Sequence, residues 1–519
     1  VPENKISLEH MPSKWYIPLR STTMSDRLSA ANLDMVSPYY ERFQGSGFSN
    51  IEYIKPLLTQ CCVRPTRKAI DISWQKCNKK ELYPDDEIQD YVEKLACEYL
   101  TPILKGVSVM GPDDEFEFTS KSSPAKTWKL KGCKTKAAAL EHPDFWLKVY
   151  DINHIPLVDV NPKIELIPIE EILGNHKIRT TFNPDFDFIV KQKMLFGPQN
   201  EALKENNINS FIKYGCVKQF GGFDRMARVL ENYEVLEEGD VIGFDRVASL
   251  KGAYRIRSHF LYNKYLFGQL FYCYVLYYTL HPQVVCPDGV VRERDTGNIS
   301  GSNNTTTDNS LAHLLVKFRV IVKLFLKTFY RLPTLQEILK NHYWLIFSDD
   351  AVGAHNLSPY GITKEEYLSY QKEIYREFGM ELKPAQEYSS YISGRIDNKH
   401  SFLGSYFYYD DRVDKYIPYP RIDKIASSLK YVDKKVTDVE DEISKAVALT
   451  VLSAPVPKLH EECSNYLNFL FDHFRPDPSK TRIPSDWETK AREFVKTPRA
   501  WFLYSLGRET TLGKFVMNL

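Results

Sequence analysis

Tyr343-Trp-Leu-Ile-Phe-Ser-Asp349-Asp350-Ala-Val-Gly-Ala-His-Asn356 sets two adjacent carboxylates between two short apolar runs. The pattern predicts a β-hairpin with the acids at its turn. Apolar strands would fix that turn rigidly, and Asp349 and Asp350 offer the hard anionic oxygens that Mg²⁺ or Mn²⁺ prefers. Beside a third Asp, such a pair can hold two cations roughly 4 Å apart and clamp the attacking and leaving oxygens of a phosphoryl transfer. An ordinary β-turn competes with this reading, because Asp is a common turn residue. The hairpin alone does not decide between them.

Upstream, Gly297-Asn-Ile-Ser300-Gly301-Ser-Asn-Asn-Thr305-Thr-Thr-Asp-Asn309 passes from a Gly/Ser/Asn loop straight into a helix. From Asn309 the apolar positions Leu311, Leu314, Leu315, Phe318, Ile321, Val322, Phe325 and Phe329 follow helical spacing until Pro333 closes the run. Ser300, Thr305, Thr307, Asp308 and Asn309 therefore cluster at a helix start. One cap would suffice there, so so many small polar groups suggest contacts to the hydroxyls of a ligand.

A third segment, Asp240-Val-Ile-Gly-Phe-Asp245, contains an apolar run that predicts a buried strand over residues 241–244 ending at Asp245. A carboxylate at a strand end needs a metal or a cationic partner, and Arg246, Arg255 and Arg257 are the candidate partners. Asp240 falls with Glu237, Glu238 and Gly239 in an expected turn.

A strand bearing Asp245, then Ser300-Gly301-x3-Thr305-x3-Asn309 on a helix, then Ser348-Asp349-Asp350 in a hairpin, resembles the palm motifs A, B and C of positive-strand viral RNA-dependent RNA polymerases. Gly221-Gly-Phe-Asp224, Gly-Asn-x-Ser-Gly and Thr-x2-Asp-Asn are most similar to astrovirus and potyvirus-type enzymes. The usual Gly-Asp-Asp is here Ser348-Asp349-Asp350, as in nidovirus polymerases. The resemblance implies an α+β right-hand fold of fingers, palm and thumb with an antiparallel palm sheet. It also implies Asp245, Asp349 and Asp350 as ligands of Mg²⁺, with Mn²⁺ able to substitute. Ser300, Gly301, Thr305 and Asn309 become candidates for substrate binding and ribose selection. Motif A in the family carries a second Asp five residues after the first, and from Asp245 that position is Leu250. An alternative register makes Asp240 the metal ligand and Asp245 the second Asp.

Other segments extend the resemblance. His176-Lys177-Ile178-Arg179-Thr180-Thr181 is similar to motif F, with Lys177 and Arg179 on one face of an extended segment, suited to a triphosphate. A solvated basic face is the competing reading. Phe378-Gly379-Met380-Glu381-Leu382-Lys383 resembles motif D, which would make Lys383 the general acid toward pyrophosphate. Ser401-Phe402-Leu403-Gly404-Ser405-Tyr406 resembles the primer-grip hairpin of motif E, and Thr119-Ser-Lys-Ser122-Ser123-Pro124-Ala125 the template-contacting motif G.

The chain has 519 residues, 43% of them apolar, enough for about three domain-sized units. Expected boundaries are fingers and fingertips with an early palm insertion over residues 1–240, palm over 241–408 and thumb over 409–519. Residues 415–452 read as helix-rich. A formal charge of +1 excludes binding of nucleic acid by the whole surface, so local patches such as Lys121, Lys126, Lys129, Lys131, Lys134 and Lys136 must hold it. Nine cysteines show no Cys-x2-Cys pair and fit reduced thiols without a structural metal. The apolar run over residues 265–280 is short, contains Gln269 and is expected to be a buried helix rather than a membrane span. The Val1 start suggests release from a longer polyprotein. Expected partners are RNA template, primer or nascent strand, nucleoside triphosphates and other viral replicase proteins, in replication complexes of the host cytoplasm. A reverse transcriptase and a non-catalytic RNA-binding homologue are the alternatives. The Ser300 to Asn309 signature disfavours the first, and the presence of all three acids the second.

Overall fold

The computed structural model describes residues 13–16 and 35–477, apart from residues 64–66, 78, 112–113, 116, 176, 220, 287–289, 384–388, 393, 397–398, 412 and 433–437. At its centre lies a four-stranded antiparallel sheet in the order Ser389–Tyr391, Val235–Glu238, Asp350–His355, His342–Phe347. The two strands of the expected hairpin pair from His342↔His355 to Phe347↔Asp350, leaving Ser348 and Asp349 as a two-residue turn. Trp344, Leu345, Ile346, Ala351, Val352 and Ala354 are buried, because both faces of the hairpin are covered.

The long helix Thr305–Phe329 supports the sheet from behind. It is buried nearly all round from Thr307 to Val322, packed by the helices Glu87–Leu104, Lys251–Phe260 and Lys364–Glu377. Burial on every side makes its polar members demand partners. Asp308 finds Arg257 at 2.6 Å and Tyr254 at 2.8 Å, and Arg319 finds Asp86 and Glu377 at 2.6 and 2.7 Å. The helix is thereby locked in rotation and register.

A second, five-stranded sheet runs Ser13–Tyr16, Val290–Glu293, Gln283–Val285, Leu157–Lys163, Arg179–Pro184, with one parallel pairing between Leu157–Lys163 and Gln283–Val285. The motif E segment forms a tight hairpin, Ser401–Phe402 with Ser405–Asp410, whose turn residues Leu403 and Gly404 have φ of 52° and 70°. Lys415–Pro420 joins it as a third strand, which corrects the helical expectation there. Its alternation of Tyr416 and Ile417 with Pro418 suits an edge strand better than a helix.

Helices Ile422–Lys430, Val439–Ser453 and Pro457–His473 form the carboxy-terminal bundle. Its core is completed by the other end of the chain: Tyr40, Phe43 and Ile54 pack among Leu459, Tyr466 and Leu470. The Glu462 carboxylate accepts from the Ser49 hydroxyl at 2.5 Å and the Asn50 N–H at 2.8 Å. Residues near the amino terminus therefore belong physically to the bundle.

The apolar run at 265–280 gives the helix Gln269–Leu280, which buries Phe271, Tyr272, Tyr274 and Val275 but exposes Leu270 and Tyr277. It is half-buried. Among the described residues no helix is long and apolar enough to cross a membrane. All nine cysteines are free thiols.

Candidate active site

The hairpin tip is held by the long helix. Ser348 has φ of 60°, a left-handed conformation that glycine adopts freely and other residues at a cost of about 1 kcal/mol. Three residues of the helix grip it. Its N–H donates to the Ser310 hydroxyl at 2.8 Å, its hydroxyl accepts from the Asn309 amide at 3.0 Å, and its carbonyl meets His313 Nδ1 at 3.2 Å. Asp350 is fixed from the other side, accepting from the Leu403 N–H at 2.6 Å. Asp349, between them at the turn, is exposed.

The strand expected over residues 241–244 is absent. The strand is Val235–Glu238, one turn earlier, and it ends just before Asp240. Gly243 has φ of 64° and starts the one-turn helix Phe244–Val247, which carries Asp245. Val241 and Phe244 are buried, but as residues flanking this turn; burial without alternation had mimicked a strand. Two of the expected arginine partners of Asp245 are engaged elsewhere, Arg255 with Glu93 and Arg257 with Asp308. Asp245 instead accepts from Asn309 Nδ2 at 2.7 Å. It therefore lies beside the helix start, with Asp240 at the strand end.

The polar residues of the loop before the helix divide into two groups. Asn309 faces the acids, while Ser300, Gly301 and Thr305 hold the loop. The Ser300 hydroxyl accepts from the Phe182 N–H at 3.0 Å and the Gly301 N–H donates to the Phe182 carbonyl at 2.8 Å, tying the loop to the strand Arg179–Pro184. A Cβ on Gly301 would lie 2.4 Å from that carbonyl, so the approach requires glycine. The Thr305 hydroxyl donates back to the Ile299 carbonyl at 2.7 Å.

Cations surround the acids. Lys383 forms an ion pair with Asp240, and its N–H bonds the Asp240 carbonyl at 3.0 Å. Arg179 reaches Glu165 at 3.1 Å, and its charge opposes, without reversing, the rise of the Asp349 carboxyl. Lys177 pairs with Glu171 just before the strand rather than on it. Arg246 and Lys76, the latter not singled out above, add to this group: burial, then Arg246 and Lys177, lower the Lys76 ammonium. Their one visible signal was the adjacency of Arg246 to Asp245.

Asp349 and Asp350 are electrostatically unmatched. Enclosure by protein, then the charges of Asp245 and Asp240, push the Asp349 carboxyl up. Enclosure raises Asp350 to about 7, with Asp349, Glu238 and Asp240 adding to it against the pull of the Leu403 N–H. Carboxylates that repel one another across a cleft suit a hard divalent cation. Their oxygens stand apart from one another: among the described residues the tight ligand clusters are His154–Asp185–Asp187 and His281–Glu293–Asp295, away from the hairpin.

The profile of the viral RNA-dependent RNA polymerase family matches residues 130–473, about two thirds of the chain. The chain belongs to this family. It is 26% identical over 330 residues to the non-structural polyprotein 1AB of Turkey astrovirus 2, covering 61% of this chain and 20% of that polyprotein. It is also 26% identical over 167 residues to the genome polyprotein of bean common mosaic necrosis virus, covering 31% of the chain and 5% of the polyprotein. The polymerase thus spans only a fraction of these relatives. The fold is similar to that of the Sicinivirus 3Dpol RNA-dependent RNA polymerase, with a TM-score of 0.68 at 14% identity over 94% of this chain and all of that one. The right-hand α+β architecture follows.

Proposed function

We propose that this polymerase copies RNA into RNA, adding ribonucleotides to a primer or nascent strand, with Asp240 and Asp349 as the principal metal ligands and Asp350 beside them. The observation that carries this reading is the Asn309 amide, which bridges Asp245 and Ser348 and so links motifs A, B and C at one point. Mg²⁺ or Mn²⁺, when bound, would supply Lewis-acid stabilisation of the attacking hydroxyl and the departing pyrophosphate. The chain's own groups do the rest. Asp245 and Asn309 sit where a ribose 2′-hydroxyl would be read. Lys177 and Arg179, with Lys76 and Arg246, provide cations for a triphosphate; Lys177 and Arg179 would exchange Glu171 and Glu165 for phosphate oxygens. Lys383, already hydrogen-bonding distance from Asp240, is placed to deliver a proton to the leaving group.

Fingers and fingertips with an early palm insertion over residues 1–240, palm over 241–408 and thumb over 409–519 remain our proposed division. The helix Pro38–Gly45 is assigned to the thumb, against which it packs. The polyprotein relatives support release by proteolysis, and we place the enzyme in cytoplasmic replication complexes with other replicase proteins. Primer extension on a homopolymeric RNA with Mg²⁺ or Mn²⁺ tests the activity. Wild type should extend and Asp349→Asn should not; extension by that variant would remove the metal role. In the same assay Asp240→Asn should be inactive while Asp245→Asn keeps incorporation but loses ribose preference, and the reverse pattern would restore the Asp245 register.

A further inference from the structure

Ser348 occupies a position whose backbone favours glycine, yet it carries a hydroxyl with a defined partner. We propose that this hydroxyl is a positioning group for substrate selection: it fixes the Asn309 amide, which in turn holds the exposed Asp245 carboxylate in the arrangement that reads ribose. The inference rests on the role given to Asn309 above.

Asn309 has two N–H donors and one carbonyl acceptor. One N–H goes to Asp245 Oδ1 at 2.7 Å, the other to Ser348 Oγ at 3.0 Å, and the carbonyl accepts from Asn298 Nδ2 at 2.8 Å. Rotating the amide by half a turn would set its carbonyl against the Asp245 carboxylate and its NH2 against that of Asn298. Only one orientation is satisfied. The buried Asn298 and Asn309 cannot turn to water for substitutes, so every partner in the set counts. Glycine at 348 would keep the turn and leave one amide N–H without its acceptor.

Ser348 is itself immobilised, which makes its hydroxyl a fixed reference. Its carbonyl can only accept, so His313 Nδ1 carries the hydrogen and Nε2 accepts from the Tyr375 hydroxyl at 2.9 Å. Burial and the neighbouring Lys317 push the His313 imidazole down to about 3, so it stays neutral. With its oxygen accepting from Asn309, the Ser348 hydroxyl retains its own hydrogen to donate toward the cleft. The backbone cost of serine in a left-handed turn is thus offset by completing the clamp on Asn309.

The test is single-nucleotide incorporation of a ribonucleotide and its 2′-deoxy analogue by wild type, Ser348→Ala, Ser348→Gly and Asn309→Ala, with kcat and KM separated. Loss of one hydrogen bond predicts that both Ser348 variants lower the ribo-to-deoxyribo ratio of kcat/KM by about three- to tenfold. The loss should fall on the ribonucleotide, with the deoxynucleotide nearly unmoved. Alanine keeps the φ cost and glycine relieves it, so equal losses in the two assign the effect to the hydroxyl. Wild-type discrimination in Ser348→Gly with a loss in Ser348→Ala would assign it to the backbone and overturn the proposal. Wild-type discrimination in both, with Asn309→Ala impaired, overturns it while sparing the ribose reading. An unimpaired Asn309→Ala overturns that reading as well.

Discussion

Two acids three positions apart lead opposite lives. Asp240, just past the end of the strand Val235–Glu238, is exposed beside other carboxylates. Glu237, inside that strand, is fully buried and charge-matched. Its Oε1 accepts from Lys317 at 2.7 Å and Gln371 at 3.2 Å, with His355 Nε2 at 3.5 Å. Burial alone would raise the Glu237 carboxyl, but Lys317 and His355 together bring it down to about 2. From His355 the polar layer continues to His342 at 3.0 Å and to Tyr367 at 3.1 Å. A Cβ on Gly353 would lie 2.4 Å from Glu237 Oε1, so the layer is closed by a glycine. The lower layer holds charge in balance and gives rigidity; the upper edge holds charge out of balance and is available for chemistry.

The sharpest way to test this division is to neutralise one acid from each layer. Asp240→Asn should lower nucleotide addition by about a thousandfold or more, because the substituted amide is a poor ligand for a hard cation. Its melting temperature should stay level or rise. Glu237→Gln should do the reverse of this in stability, since an uncompensated Lys317 is left buried, at a cost of about 3–5 kcal/mol in denaturant unfolding. A Glu237→Gln protein as stable as wild type, or an Asp240→Asn protein that unfolds, would break the comparison. Lys383 belongs to the upper layer although it is paired, because both members of its ion pair are about half exposed. Lys383→Ala should therefore cost little stability and lower kcat by about a hundredfold, with the alkaline limb of the pH-rate profile altered. A stability loss as large as that of Glu237→Gln would move Lys383 into the structural layer.

The upper layer was largely legible in the chain and the lower one was not. Alternating apolar residues around Asp349-Asp350 and the helical spacing after Asn309 are local signals, and both elements form where that spacing puts them. The strand expectation over residues 241–244 failed because Val241 and Phe244 are buried for tertiary reasons, while the true strand Val235-Leu-Glu-Glu carries two glutamates. Glu237 can be buried only because Lys317 arrives from a helix 80 residues downstream. No local pattern announces such a partner. The partners of Ser300 and Thr305 were equally out of sight: their hydroxyls bond Phe182 and Ile299, and the first of these lies in another sheet. Likewise nothing near Tyr40 announces the Tyr466 ring, 5.1 Å away and edge-on in the carboxy-terminal bundle.

Proton linkage offers the smallest and most specific test of the unmatched edge. The Asp350 carboxyl is raised from 3.8 to about 7 in the folded protein. Below about pH 4 it is neutral in both folded and unfolded chains and contributes nothing. Between pH 4 and 7 the unfolded chain loses the proton and the folded chain keeps it, so stability falls as pH rises, and above 7 the deficit is constant. The deficit is on the order of 2 kcal/mol once partial exposure to the cleft is allowed for. Asp350→Asn removes this group alone, so urea unfolding in chelator should show a shallower decline from pH 5 to pH 8 than wild type. Mg²⁺ should restore stability to wild type at pH 8 more than at pH 5, because only the ionised carboxylates attract it. Parallel pH profiles for the two proteins would mean that Asp350 is already compensated, and the contrast between the two layers would then rest on Asp240 and Asp349 alone.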